Sequence, residues 1–498
     1  MLLLTPAPAL AAWHEARTQH YFIYSEQNPD VLRDYATRLE RYDSAVRVAR
    51  KMADPPLSDA NRLIVYVLRD QESVGDLAGS SGVAGFYRGQ ASGSVAFVNS
   101  ERTKNKLDLD GEVVFFHEYL HHLMLQERPV AYPAWMREGY AEFFATAKIG
   151  ADGSVTFGAA PDYRGYELHN NRDSVSLRWL LSGSTDKMSG NEFVSIYSQG
   201  WLLTHYLAFE PSRRGQVSRY LQGIQKGESP LKSAEAAFGD LKQLGRDLDK
   251  YLARKTLPVQ TIPAAQISPG PIALRPLAAG EAAIMRVRMR TDAGPKDGEA
   301  RYIAANARDT AAKFPDDPVV LVALAAAELR TKRYDKVVAA ADRAIAANPR
   351  ALKAWVYKGR AMMELAKTNP AAADWTGIRG TIAKANRLDP DAAEPLMLYF
   401  QSFVEQGARP SPTAVEGLLY ALEMAPFDKT LRVMAVRQLL VDRKIDQARA
   451  AFGPIAYDPH GGKSGQRNLE IMGKIAAGDG PAAIAMLDED EKKQRNKD

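Results

Sequence analysis

Apolar residues along this chain follow two periods that change partway. From Trp13 to about Leu257, short runs with period two alternate with longer stretches of period 3.6, the signature of mixed strands and helices. His20 to Glu26 predicts a strand, Val31 to Met52 an amphipathic helix, and Arg62 to Asp70 a second strand. Gly82 to Asn99 predicts a hairpin, its arms Gly85 to Tyr87 and Val95 to Val98 divided by a Gly/Ser-rich turn. Helical spacing dominates from there to Leu257. Leu257 to Pro295 is proline-rich and contains an alternation of Met285, Val287 and Met289 with Arg286, Arg288 and Arg290. It predicts a linker with one strand.

Beyond the linker the chain is Ala-rich and helical. Pro315, Pro349, Pro390, Pro426 and Pro459 recur at spacings of 34, 41, 36 and 33 residues. A period near 34 is that of tetratricopeptide repeats, in which a helix pair buries its apolar face only by stacking on the next pair. Leu321, Leu324, Ala325, Tyr334 and Ala344 occupy the packing positions of such a unit, and Trp355 with Gly359 opens another. The resemblance is good from Pro315 to Pro390 and degenerate afterwards. A protein partner is the usual occupant of such an array; a structural cap on the preceding region is the alternative.

Composition narrows the chemistry. The 498 residues include 65 basic and 60 acidic side chains, interspersed, for a formal charge of +5, so a nucleic-acid partner is not expected. Cysteine is absent, which leaves His and carboxylate as the metal ligands available. Residues 1–12 are apolar and end in an Ala-x-Ala pattern at Ala9 to Ala11, like the end of a secretory signal. No basic segment precedes them. Either the start lies upstream or this is an apolar N-terminus; the first reading predicts a periplasmic or secreted bacterial protein. No later apolar run reaches the ~20 residues of a membrane-spanning helix.

The chemistry-bearing motif is His117-Glu118-Tyr119-Leu120-His121. Positions i and i+4 of a helix share a face, so both imidazoles can meet one tetrahedral zinc, while Glu118 stands about 100° round the helix. Asp108 or Asp110 is available as N-cap, and Val113, Phe116, Leu120 and Leu123 fall at core spacing. His122 is set apart from the pair and is expected in the second shell or at the surface.

Downstream, Trp135-Met-Arg-Glu138-Gly139 with Glu142 resembles the second helix of gluzincin peptidases, where a Trp-x-x-Glu-Gly segment supplies the third ligand. That resemblance implies Glu138 as third ligand and Glu142 as the carboxylate that orients His117 or His121. Glu127, the competitor at a metzincin-like position, lacks the turn glycine, since Met124 stands in its place. Tyr197-Ser-Gln199-Gly200 resembles the Tyr-x-Lys-Gly helix of gluzincin aminopeptidases and implies Tyr197 as hydrogen-bond donor to the reacting carbonyl. Gln199 replaces the family's lysine. His205 and Tyr206 on that helix are expected to pack, with His205 also able to approach the site as a donor.

The three matches span about Gly82 to Leu207. They imply an α+β gluzincin-like peptidase domain of the peptidase-MA type at 13–257, followed by a linker at 258–295, an all-α tetratricopeptide-like solenoid at 296–490 and a charged tail at 491–498. The implied cofactor is Zn2+, the implied base Glu118, and the implied substrate a peptide or protein. The spacing from His121 to Glu138 is tighter than in the aminopeptidases, and the Gly-Ala-Met-Glu-Asn amine-binding segment is missing, so aminopeptidase specificity has no support. Val95, Ala96, Phe97 and Val98 are expected instead to offer an edge strand to an extended peptide. Two rivals remain: a non-catalytic envelope scaffold with a relic or structural zinc domain, and hydrolysis of a non-peptide amide by the same chemistry.

Overall fold

The computed structural model describes residues 13–101, 110–127, 131–170, 175–183, 188–296, 298–458 and 464–495. The proposed signal remnant at 1–12 and the end of the charged tail lie outside the described residues; the tail's first residues continue the last helix, Gly480–Arg495.

Nine strands occur in chain order among the described residues: β1 (His14–Arg17), β2 (Tyr21–Ser25), β3 (Leu63–Leu68), β4 (Gly85–Arg88), β5 (Val95–Asn99), β6 (Lys148–Ile149), β7 (Val155–Phe157), β8 (Gln260–Ile262) and β9 (Ala273–Pro276). They form a six-stranded sheet in the order β4-β5-β3-β2-β1-β9 and a three-stranded one, β6-β7-β8. The chain divides into two compact units, each drawn from separated segments. One comprises Met1–Glu40, Asp54–Arg102 and Pro269–Ala425, the other Arg41–Ala53, Thr103–Ser268 and Pro426–Asp498.

The first unit contains the six-stranded sheet and the best repeats. Strands β2, β3 and β5 run parallel in its centre, while β1, β4 and β9 are antiparallel to their neighbours. The hairpin expected at Gly82 to Asn99 is β4–β5. The edge-strand role expected of Val95, Ala96, Phe97 and Val98 does not hold. β5 pairs with β3 on one side and β4 on the other, and all four residues are buried. Main-chain donors and acceptors there are consumed by the sheet, and the edges are β4 and β9. Neither edge was legible in the Val95 to Val98 pattern, because a hydrophobic run reads alike for a central strand and an edge.

The expected linker is also structured. Its prolines flank β8 and close β9, an edge position where a missing N–H costs no ladder bond. The alternation at Met285 to Arg290 lies in the helix Ala279–Ala293, not in a strand. Met285, Met289 and Ala293 pack on Tyr66 and Phe97 of the sheet, and Ile284 and Val287 pack on Ile303 and Val320 of the repeats. A helix with apolar contacts on two sides yields alternating burial, and that imitated a strand.

The repeats are helix pairs: Pro318–Arg330 with Tyr334–Ala347, Leu352–Thr368 with Trp375–Leu388, and Ala393–Glu405 with Pro412–Met424. Pro315, Pro349 and Pro390 occupy turns between pairs. Asp317 caps the first helix through the amides of Val319 and Val320, with Pro318 at its first position. Leu321, Ala325 and Ala344 are buried, and a side chain at Gly359 would meet Ile382 at 2.7 Å. This is why the small positions of the repeat recur: facing helices approach too closely for anything larger.

The second unit contains the three-stranded sheet, the helices between Gly111 and Leu252, and the pairs from Lys429 onward. No helix among the described residues is long and apolar enough to cross a membrane.

Candidate metal centre

Three helices of the second unit build the site. The first, Gly111–Glu127, is capped by Asp110, whose side chain accepts from the amide of Glu112 at 2.8 Å. Phe116, Leu120 and Leu123 are buried as its spacing predicts, while Val113, expected with them, is only half-buried. Its outer face is gripped from the C-terminal part of the helix Pro29–Arg50. Tyr42 stacks on Phe116 with centroids 3.8 Å apart and donates to the Phe116 carbonyl at 3.0 Å, while Tyr119 donates to Asp43 at 2.7 Å. These contacts fix which way His117 and His121 face.

The second helix, Ala134–Ala145, begins just after Pro133 and is anchored by Trp135, whose indole N–H donates to the Tyr220 hydroxyl at 3.1 Å. The third, Gly190–Phe209, starts with a capping box between Ser189 and Glu192. It meets the second at a pair of glycines. A Cβ on Gly139 would lie 2.2 Å from the Gly200 carbonyl oxygen, and one on Gly200 would lie 2.5 Å from the Trp135 oxygen. The glycines of Trp-x-x-Glu-Gly and Tyr-x-x-Gly are therefore one contact, and that contact sets Glu138 and Tyr197 beside the histidines.

There the three donor atoms converge. Glu138 Oε2 is 3.1 Å from His117 Nε2 and 3.3 Å from His121 Nε2, and the two Nε2 atoms are 3.2 Å apart. A tetrahedral zinc with bonds of about 2.0–2.1 Å requires donors separated by about 3.3 Å, so the set fits zinc without rearrangement. Among the described residues no other group of potential ligands lies within the second unit alone. Glu138 and His121 are buried, and His117 is largely so.

Charge around the triad favours a cation. Burial opposes protonation of His117, yet the carboxylates of Glu138, Glu142 and Glu118 outweigh it and raise its pKa to about 9. His121 moves the other way: burial is the largest cause, Glu138 opposes it, and the neighbouring charges of His117 and Arg137 add to the lowering. Glu118, next in sequence to His117, is half-buried, and its charge acts on both His117 and Tyr197. Tyr197 stacks on His117 at 5.8 Å and 25°. Burial, then the carboxylates of Glu138 and Glu118, drive its hydroxyl far above the ordinary range, so it remains a donor.

Glu142 faces His117, not His121, with Oε1 3.7 Å from Nδ1. Its carboxylate also accepts from Tyr163 at 2.6 Å and from Arg164 at 2.9 Å. Sequence reasoning missed Tyr163 and Arg164 because no motif spans the 21 residues that separate Glu142 from Tyr163. Glu127 is not a ligand: it pairs with Arg50 at 2.5 Å. His122 is neither surface nor ligand, being buried between the rings of Tyr119 and Phe427. Gln199 turns away to donate to the Val175 carbonyl at 3.2 Å.

His205 does not reach the triad. It donates from Nε2 to the Gly158 carbonyl at 3.0 Å, and Nδ1 accepts from the Tyr251 hydroxyl at 2.9 Å. Burial depresses its pKa from 6.5 to about 4. The stability that depends on its neutral ring is thus complete above pH 6.5 and lost as pH falls towards 4, amounting to about 3 kcal/mol. Urea unfolding at about pH 7 and pH 4.5 measures it: His205→Gln is expected to flatten the acid loss relative to wild type.

A protein-family model described as a protein of unknown function (DUF1570) matches residues 114–230, a stretch that includes His117, His121, Glu138, Glu142 and Tyr197. The comparison with curated proteins returns no match. Among solved structures, this chain is similar to a thermophilic TPR protein of Thermus thermophilus, at 17% identity and TM-score 0.31, with 40% of this chain and 98% of that one covered.

Proposed function

We propose that the second unit is a zinc-dependent peptidase of the gluzincin type, with the repeats as a surface for protein. The observation that supports this most is the convergence of the His117, His121 and Glu138 donor atoms, with Glu118 on the same helix close enough to act on His117 by its charge. A structural zinc site has no use for a non-ligating carboxylate beside its three donors.

When bound, zinc supplies Lewis acidity, polarising a peptide carbonyl and making water acidic enough to lose a proton near neutral pH. His117, His121 and Glu138 would hold the ion. Glu118 takes a proton from the attacking water, whose oxygen adds to the carbonyl carbon. As the C–N bond breaks, Glu118 returns that proton to the leaving amine nitrogen. Tyr197, kept protonated by its surroundings, donates its O–H to the carbonyl oxygen as negative charge develops there, a contact worth about 3 kcal/mol. The apolar segment at 1–12 supports export, and with it a substrate outside the cytosol.

The test is zinc content and peptide-library cleavage on the purified full chain. Stoichiometric zinc is expected, with cleavage lost on stripping by a chelator and restored by zinc. Failure to take up zinc overturns the proposal. The second reading, a non-catalytic scaffold, is favoured by the helix pairs between Pro318 and Met424; it predicts partner capture by the repeats with no cleavage of any library member.

A further inference from the structure

Glu142 is almost fully buried, and a buried carboxylate must be compensated by charge and hydrogen bonds. Compensation comes from one short turn, Asp162–Arg164. Tyr163 donates to Oε2 at 2.6 Å, and Arg164 directs both its terminal NH2 group, at 2.9 Å, and its Nε, at 3.3 Å, to Oε1. That Oε1 is the oxygen facing His117 Nδ1. The same guanidinium lies 4.9 Å over the ring of Tyr197, and that ring stacks on His117. One cation thus touches both groups that flank the imidazole, the carboxylate on one side and the phenol on the other.

Stability alone gives no reason for this arrangement, because a buried ion pair is commonly matched or bettered by apolar side chains of equal volume. Its effect on His117 does. Glu142, 3.7 Å from Nδ1, favours hydrogen on that nitrogen by its charge, which leaves Nε2 as the donor atom beside those of His121 and Glu138. Burial opposes the charge on Arg164, but Glu142 outweighs it and raises the pKa, so the guanidinium stays charged at every working pH.

We infer that Arg164 and Tyr163 are positioning residues: together they hold Glu142 against His117, and Arg164 also seats Tyr197 on the same imidazole, so that the turn Asp162–Arg164 sets metal affinity from outside the ligand set. This rests on the zinc reading above. Neither residue touches the reacting atoms; both act through Glu142, and Arg164 also through Tyr197.

The experiment measures zinc affinity by chelator competition, and the absorption spectrum of the cobalt-substituted protein, on the full chain. Tyr163→Phe removes a single oxygen and keeps the ring, so it tests the contact even where Arg164→Lys unfolds. Each is expected to weaken zinc binding about 10-fold and alter the cobalt bands, in the range found for partners of ligand histidines. Glu142→Gln is expected to weaken it up to about 100-fold, and Glu142→Gln with Tyr163→Phe no further, because Tyr163 acts through Glu142 alone. Wild-type affinity and spectrum in Tyr163→Phe and Arg164→Lys, or additive losses in the double variant, overturn the inference while leaving the zinc reading intact. A wild-type protein that takes up no zinc overturns both.

Discussion

Glu118→Gln is expected to retain stoichiometric zinc and to lose peptide hydrolysis by about 10²–10⁴-fold. The two halves of that result come from different atoms. Glu118 contributes no donor to the triad, whose edges are formed by His117, His121 and Glu138, so an amide of the same shape leaves the ligand set unchanged. An amide cannot take the proton of the attacking water, so no group remains to carry it to the leaving amine. Cleavage assays paired with metal analysis on the same preparation read both halves. Cleavage at the wild-type rate removes the general base from the proposal, and loss of zinc reassigns Glu118 to the ligand set.

A methyl group at the glycine contact is expected to damage the same site from a distance. In an open helix, Gly→Ala stabilises by about 1 kcal/mol through propensity. Gly473, with nothing within 4 Å of an added Cβ, should behave that way. Gly139 and Gly200 should not, because their added Cβ atoms meet backbone at 2.2 Å and 2.5 Å, and backbone cannot rotate aside. The helices Ala134–Ala145 and Gly190–Phe209 must separate, at a cost of about 1–3 kcal/mol. Glu138 precedes Gly139 directly, so separation also withdraws its carboxylate from His117 and His121. Thermal unfolding of the metal-free protein is therefore expected to fall for Gly139→Ala and Gly200→Ala and to rise for Gly473→Ala. Zinc affinity is expected to fall with the first two alone. Equal responses of all three variants would dispose of the close contact.

Helical periodicity made the helix of His117 and His121 readable in advance, with Asp110 as one of two expected caps and Phe116, Leu120 and Leu123 on its buried face; the other expected cap, Asp108, lies outside the described residues. The strands at His20 to Glu26 and Arg62 to Asp70 and the hairpin were legible for the same reason: each is a local pattern of burial with one period. Misreadings came where burial has two sources. The helix Ala279–Ala293 is packed from two sides and read as a strand. Strand β5 is hydrogen-bonded on both sides, and no pattern within Val95 to Val98 can report how many neighbours a strand has.

What the amino-acid sequence determined by itself is the local chemistry: two imidazoles one helical turn apart, a carboxylate beside them, and Glu138 and Glu142 one turn apart on another helix. These follow from spacing, since a helix carries its own geometry. Only the tertiary structure decided which long-range pairs form. It gave Glu142 to His117, brought Tyr163 and Arg164 to Glu142, sent His205 to Gly158 and Tyr251, and sent Glu127 to Arg50. Such pairings depend on how close two helices can come, and here that distance is set by two glycines 61 positions apart, Gly139 and Gly200, whose meeting no local pattern encodes.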